Sequence, residues 1–183
     1  MQKGTHNAMN SVNKKKLFGI PAAALLILLD QLTKYLAVHG LKDKAPIVIW
    51  DGVFELRYLE NRGAAFGILQ NQKWPLIIFT VLVLAVIVYI YLKKIPTERR
   101  FLPLNLIAVL FFSGAVGNFI DRLVQDYVVD FFYFVLIDFP IFNVADIYVT
   151  VAAFLLIVLG LFYYREDDFE RIMPSKKKKD TAS

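Results

Sequence analysis

No cysteine occurs among the 183 residues, and histidine appears only as His6 and His39. The first absence excludes a disulfide framework, a thiol nucleophile and any thiolate metal site; so little imidazole also speaks against a histidine-based site. There is no HExxH helix, no Ser-His pairing, no glycine-rich phosphate loop, no internal repeat and no heptad array. The chemistry left open is metal-free and acid-based, and no metal or cofactor is expected. What the chain has in quantity is apolar surface: 57% of residues are hydrophobic and the mean hydropathy is +0.52, too apolar for a soluble domain of this length. The class is an integral membrane protein. The net charge of +5 does not point to a nucleic-acid partner, because the lysines at 14–16 and 176–179 supply much of it. Both groups flank apolar runs, where they read as positive-inside anchors in contact with membrane lipid.

Residues 1–13 are polar and aperiodic and are expected to form a disordered leader outside the fold. The lysines at 14–16 followed by an apolar run resemble the front of a secretory signal peptide. The run continues through Asp30, Leu32, Tyr35, Leu36 and Val38 without a small-x-small cleavage site, however, and is long enough to cross a bilayer. Further spans are expected over 74–92, 101–123 and 146–164. The basic excess falls in the leader, in the link 93–100 and in the tail 166–183, so four spans with both termini cytoplasmic satisfy every loop. Residues 14–165 then form one membrane domain. Within it, 40–73 has strand character: Ile47, Val48, Ile49 and Trp50 run into Asp51-Gly52, a hairpin turn signal, after which Phe54, Leu56 and Tyr58 alternate with Glu55 and Arg57. The expected architecture is an α-helical integral membrane protein with four transmembrane helices, a small extracytoplasmic β-sheet at 40–73 and an interfacial helix or flap within 127–145.

Ionisable groups at membrane depth are costly, so each is a candidate for function. Asp30 and Lys34 are four residues apart on one helical face, and Asp30 falls in the half of the first span remote from the lysines; an ion pair that fixes helix packing and direct chemistry are both open readings. Gly114, Asn118 and Asp121 share a face of the third span, followed by Arg122, and an interhelical polar network competes there with a substrate-orienting role. Asn61 and Gly63 belong to a stretch rich in small residues that reads as a simple turn or as a loop holding a peptide by its main chain. Asp130, in an aromatic-rich segment, and Asp146, at the head of the fourth span, fall at the same membrane surface. Two carboxyls in a poorly hydrated place share one proton, which is the equipment for attack on a peptide bond through water. Asp121, Asp126 and Asp138 lie close by, and spacing alone does not choose among these acids. A small transporter using the buried charges, or an assembly protein pairing through the small residues from Ser113 to Gly117, are the competing readings.

Five motifs in order resolve the choice: DQLTK from Asp30, ENRGAAF from Glu60, GAVGNFIDR from Gly114, VVDF from Val128 and FNVAD from Phe142. Together they resemble the bacterial lipoprotein signal peptidase family, signal peptidase II, with Ser113 standing where a second glycine is common. The resemblance implies a membrane aspartyl endopeptidase that removes signal peptides from prolipoproteins, cutting before a diacylglyceryl-modified cysteine. It implies Asp130 and Asp146 as the catalytic pair and Asn61, Gly63, Asn118, Arg122 and Asn143 as residues that orient the pair or the substrate. Asp30, Lys34 and Asp121 fall on supporting positions, and residues 131–142 on a mobile flap. The implied partners are diacylglyceryl-modified prolipoprotein substrates and membrane lipid; a monomer is expected.

Overall fold

The computed structural model describes residues 19–64 and 69–173; the leader, the lysines at 14–16 and 176–179, and the small-residue stretch at 65–68 lie outside them. Four helices among the described residues are long and apolar enough to cross a membrane. They are α1 (Gly19–Leu41), α2 (Lys73–Tyr89) with a π-helical extension Ile90–Lys94, α3 (Leu102–Gln125) and α4 (Val144–Phe162). Their composition is mainly Leu, Ile, Val, Ala and Phe, and many of these side chains face outward, as Leu28, Ile78 and Phe154 do. That is the arrangement expected where hydrocarbon replaces water as the solvent. The ends carry the local signals. Pro103 stands in the first turn of α3, where a missing N–H costs nothing, and Asp126 takes a left-handed conformation to stop the helix.

A three-stranded antiparallel sheet caps one end of the bundle, in the order β1 (Ile47–Trp50), β2 (Phe54–Asn61), β3 (Val128–Tyr133). The hairpin turn at Asp51-Gly52 forms as expected, with Gly52 at φ 68°, a conformation that glycine enters without penalty. The sheet is larger than the expectation for 40–73. Its third strand comes from the stretch expected to lie along the membrane surface, and it pairs Leu59 with Asp130 and Asn61 with Val128. After β3 the chain passes through a short 3-10 turn, Val135–Ile137, and comes back onto the strand. Phe131 and Phe132 both donate to the Phe142 carbonyl, at 3.0 and 2.9 Å, and Phe142 donates back to the Phe132 carbonyl. This closed neck delivers Asn143 and the head of α4 to the side of Asp130.

Two apolar clusters hold the ends. Beneath the sheet, Ala37 and Leu41 of α1 meet Val129 and Phe131 of β3. At the opposite end, Phe101, just ahead of α3, and Leu104, Ile107 and Ala108 within it meet Ala152 of α4 together with Ile95 and Tyr164. A short helix, α5 (Glu166–Ile172), docks there through Asp168, which accepts from Arg100 at 2.7 and 2.5 Å.

Candidate functional site

Asp130 sits on β3, 1% exposed. Its two oxygens are held from different elements: Asn61 on β2 donates to Oδ2 at 2.9 Å, and Asn143 donates its side-chain amide to Oδ1 at 2.6 Å. Burial first, and the neighbouring Asp146 carboxylate second, push the Asp130 carboxyl from 3.8 up to about 7, against the opposing pull of the two asparagine donors.

Asp146 is placed by the chemistry of a helix start. Asn143 is the N-cap of α4 and Asp146 the third residue of its first turn, forming a reciprocal capping box: Asp146 N–H donates to Asn143 Oδ1 at 3.0 Å and Asn143 N–H donates to Asp146 Oδ2 at 3.1 Å. The other oxygen, Oδ1, accepts from Asn118 Nδ2 on α3 at 2.8 Å. Asn143 therefore touches both acids, one by its side-chain amide and the other by its main chain. The sequence brought these residues to notice one by one; the capping box is what ties them together, and it was readable in Asn143-Val144-Ala145-Asp146 as an N-cap residue three positions before an acid.

The supporting cluster lies just below. Lys34 Nζ, 3% exposed as a residue, reaches Asp30 at 2.9 Å, Asp121 at 3.1 Å and Asn118 Oδ1 at 2.8 Å. Asp30 Oδ1 accepts from the Ala145 N–H at the head of α4, and Asp121 Oδ2 accepts from the Val129 N–H beside Asp130. Buried charges are tolerable only when paired and hydrogen-bonded throughout, and here α1 supplies Asp30 and Lys34, α3 supplies Asn118 and Asp121, and the head of α4 and β3 supply main-chain N–H groups. Lys34 thus holds Asn118, which holds Asp146, while Asp121 holds the strand that carries Asp130. Both sequence expectations for this group, ion pair and interhelical network, describe it. Gln31 is the member that the reading of the residues left without a role. It donates to Asp121 Oδ1 at 3.0 Å and approaches Asp30 Oδ2 and the Gly117 carbonyl at 3.2 Å; its place next to Asp30, with the same face of α3 opposite, was the available signal.

Arg122 and Gly63 meet across the site. Arg122 Nη2 donates to the Gly63 carbonyl at 3.0 Å, and Gly63 N–H donates to Asn61 Oδ1 at 3.0 Å. The loop after β2 is thereby fixed to α3 while Asn61 keeps its amide on Asp130. Arg122 Nε is buried with no hydrogen-bond partner among the described residues, a donor left over beside the two acids. Glycines make the seams close. A Cβ on Gly117 would collide with the Asp30 carboxylate, and one on Gly114 would stand 2.5 Å from the Ala145 carbonyl. No cluster of His, Cys, Asp and Glu suited to a metal ion occurs among the described residues.

Four helices long and apolar enough to cross a membrane gather at the buried Asp130 carboxyl and the partly buried Asp146 carboxyl, each held by asparagine amides, and the class is a multi-pass helical membrane protein. Comparison with known proteins refines it. The family model described as signal peptidase (SPase) II matches residues 22–162. The lipoprotein signal peptidase of Streptococcus thermophilus (strain CNRZ 1066) is 49% identical over 141 residues, 76% of this chain and 90% of that protein. The one from Streptococcus pyogenes serotype M5 is 41% identical over 158 residues, 85% and 98% of the two chains. Two solved structures of bacterial membrane enzymes superpose with TM-scores of 0.72 and 0.71 at 30% and 32% identity, covering 88% and 80% of this chain and 93% and 94% of theirs. The chain belongs to the signal peptidase II family.

Proposed function

We infer that Asp130 and Asp146 are the acids with which this chain, an aspartic-type peptidase of the signal peptidase II family, removes signal peptides from prolipoproteins. The observation that carries the assignment is Asn143, whose side-chain amide and main-chain N–H tether Asp130 and Asp146 respectively. Asp130, with its carboxyl pushed up to about 7, holds the proton near neutral pH. Asp146, set in the first turn of α4 and accepting from the Asn143 N–H and the Asn118 amide, takes a proton from the attacking water. The water oxygen adds to the scissile carbonyl as Asp130 donates its proton to the developing oxyanion. Collapse of the tetrahedral adduct returns that proton to Asp130 and sends the one on Asp146 to the leaving amine.

The remaining roles follow the same contacts. Asn61, Asn118 and Asn143 orient the acids; Arg122 and Gly63 fix the loop that faces the substrate; Asp30, Lys34 and Asp121 hold the elements together. The sheet end faces the extracytoplasmic side and both termini are cytoplasmic, supported by the basic residues Lys93, Lys94, Arg99 and Arg100 at the end away from the acids. A bond at that surface is met without pulling the lipid of the substrate out of the bilayer, and the substrate is a precursor whose cysteine carries a diacylglyceryl group. The test is to incubate the purified chain in detergent with a diacylglyceryl-modified precursor and its unmodified twin. Cleavage of the modified form alone is expected; equal cleavage of both would remove the lipid from the reading, and cleavage of neither would remove the reading.

A further inference from the structure

At the end of the bundle away from the acids, α1 and α2 do not close on each other. Between them and α3 lies a crevice of about 800 Å³, within the range of sites that hold small molecules. Small side chains make the space: Ala23 and Ala24 on α1 and Ala108 on α3 face it, opposite Val88 on α2. The walls are almost wholly apolar, and among the described residues the one charged group lining the crevice is Lys93, at its end. The closing contact is made at Gly19, where an added Cβ would run into the Tyr91 hydroxyl. Ala108 lies roughly 15 Å down α3 from Asn118 at 1.5 Å per residue, so this space is separate from the peptidase site.

We propose that this crevice is a binding site for an anionic glycerophospholipid of the surrounding bilayer, with an acyl chain between α1 and α2 and the phosphate at Lys93. The charge at the rim decides the occupant. Lys93 is exposed and Lys94 follows it. A cationic rim over an apolar slot matches a molecule with a phosphate above hydrocarbon. It repels the basic leading region of a signal peptide, which would stand at the same membrane end. The site serves the leaflet opposite the acids, and a chain lodged there fills the gap between α1 and α2.

Native mass spectrometry of the full chain, released from detergent with equimolar phosphatidylglycerol and phosphatidylcholine, reads this directly. The unaltered chain is expected to retain a single phosphatidylglycerol. Lys93→Gln is expected to lower the preference for that lipid over phosphatidylcholine about fivefold, the worth of one lysine near an anionic headgroup. Ala24→Phe and Val88→Phe, at partly lipid-facing positions on two different helices, are each expected to abolish retention of either lipid while thermal unfolding in lipid-free detergent stays unchanged. Retention unaltered in both fillers, no discrimination between the two lipids by the unaltered chain, or a dimer that the fillers dissociate would overturn the proposal. None of these readouts depends on proteolysis.

Discussion

At the residue scale the account turns on Asp130, an acid kept away from water and beside a second acid. Its carboxyl sits at about 7 against 3.8 in an ordinary setting, so folding costs free energy wherever the unfolded chain has it ionised and the folded chain does not. The sign follows directly. A raised folded value leaves stability intact below about 4 and erodes it as pH climbs towards 7, after which the loss is constant, at most about 4 kcal/mol. Asp130→Asn lacks the proton equilibrium. The stability of this variant relative to the parent is therefore expected to rise between pH 4 and pH 7 and to level off above, as read by thermal or denaturant unfolding across that range. A difference independent of pH would contradict the environment described for Asp130.

At the scale of elements, the seams between helices matter as much as the acids. Gly114 lies where α3 meets the head of α4, and the first atom that a new Cβ meets is the Ala145 carbonyl, with Val149 Cγ2 at 2.7 Å. Backbone cannot rotate away, so the helices must part. Gly114→Ala is expected to cost about 1–3 kcal/mol of stability and to lower cleavage with it, because the Asn118 to Asp146 hydrogen bond crosses the same seam; unchanged unfolding and turnover would show that the seam is looser than the contact implies. The sequence made the spans, the hairpin and the polar face of α3 legible, because hydropathy, Asp51-Gly52 and the spacing of Asn118 and Asp121 are local signals. It concealed β3. Val128-Val129-Asp130-Phe131-Phe132 is apolar without alternation, since its residues are buried from both sides by α1, α3 and the returning chain, and a strand buried on both faces reads like any other apolar run. The same gap hid how the acids meet, since the neck at Phe132 and Phe142 joins segments whose pairing no local pattern encodes. That Lys34 serves Asp30, Asp121 and Asn118 at once was likewise beyond a reading that could see only the partner four residues away.

At the scale of the whole molecule the two ends do different work. The sheet end carries the acids; the opposite end is held by the Phe101 and Tyr164 stack, with ring centroids 5.8 Å apart, by Arg171 bonded to Glu98, and by Arg100 on Asp168. The Asp168 carboxyl is held down at about 2, by Arg100 first and then by the Arg165 N–H. The contribution of a lowered acid is present above its ordinary value and is lost as pH falls towards 2. Asp168→Asn is therefore expected to remove hydrogen-exchange protection from α5 at neutral pH while leaving the sheet and cleavage as they are; loss of cleavage would mean that the ends are coupled. The separation of roles leaves the central claim with the pair of acids. It is tested most directly by single-turnover cleavage of a diacylglyceryl-modified precursor by Asp130→Asn and Asp146→Asn, each first shown to unfold cooperatively. No product from either variant is the predicted result, and product formation by either at a rate near that of the parent would contradict it.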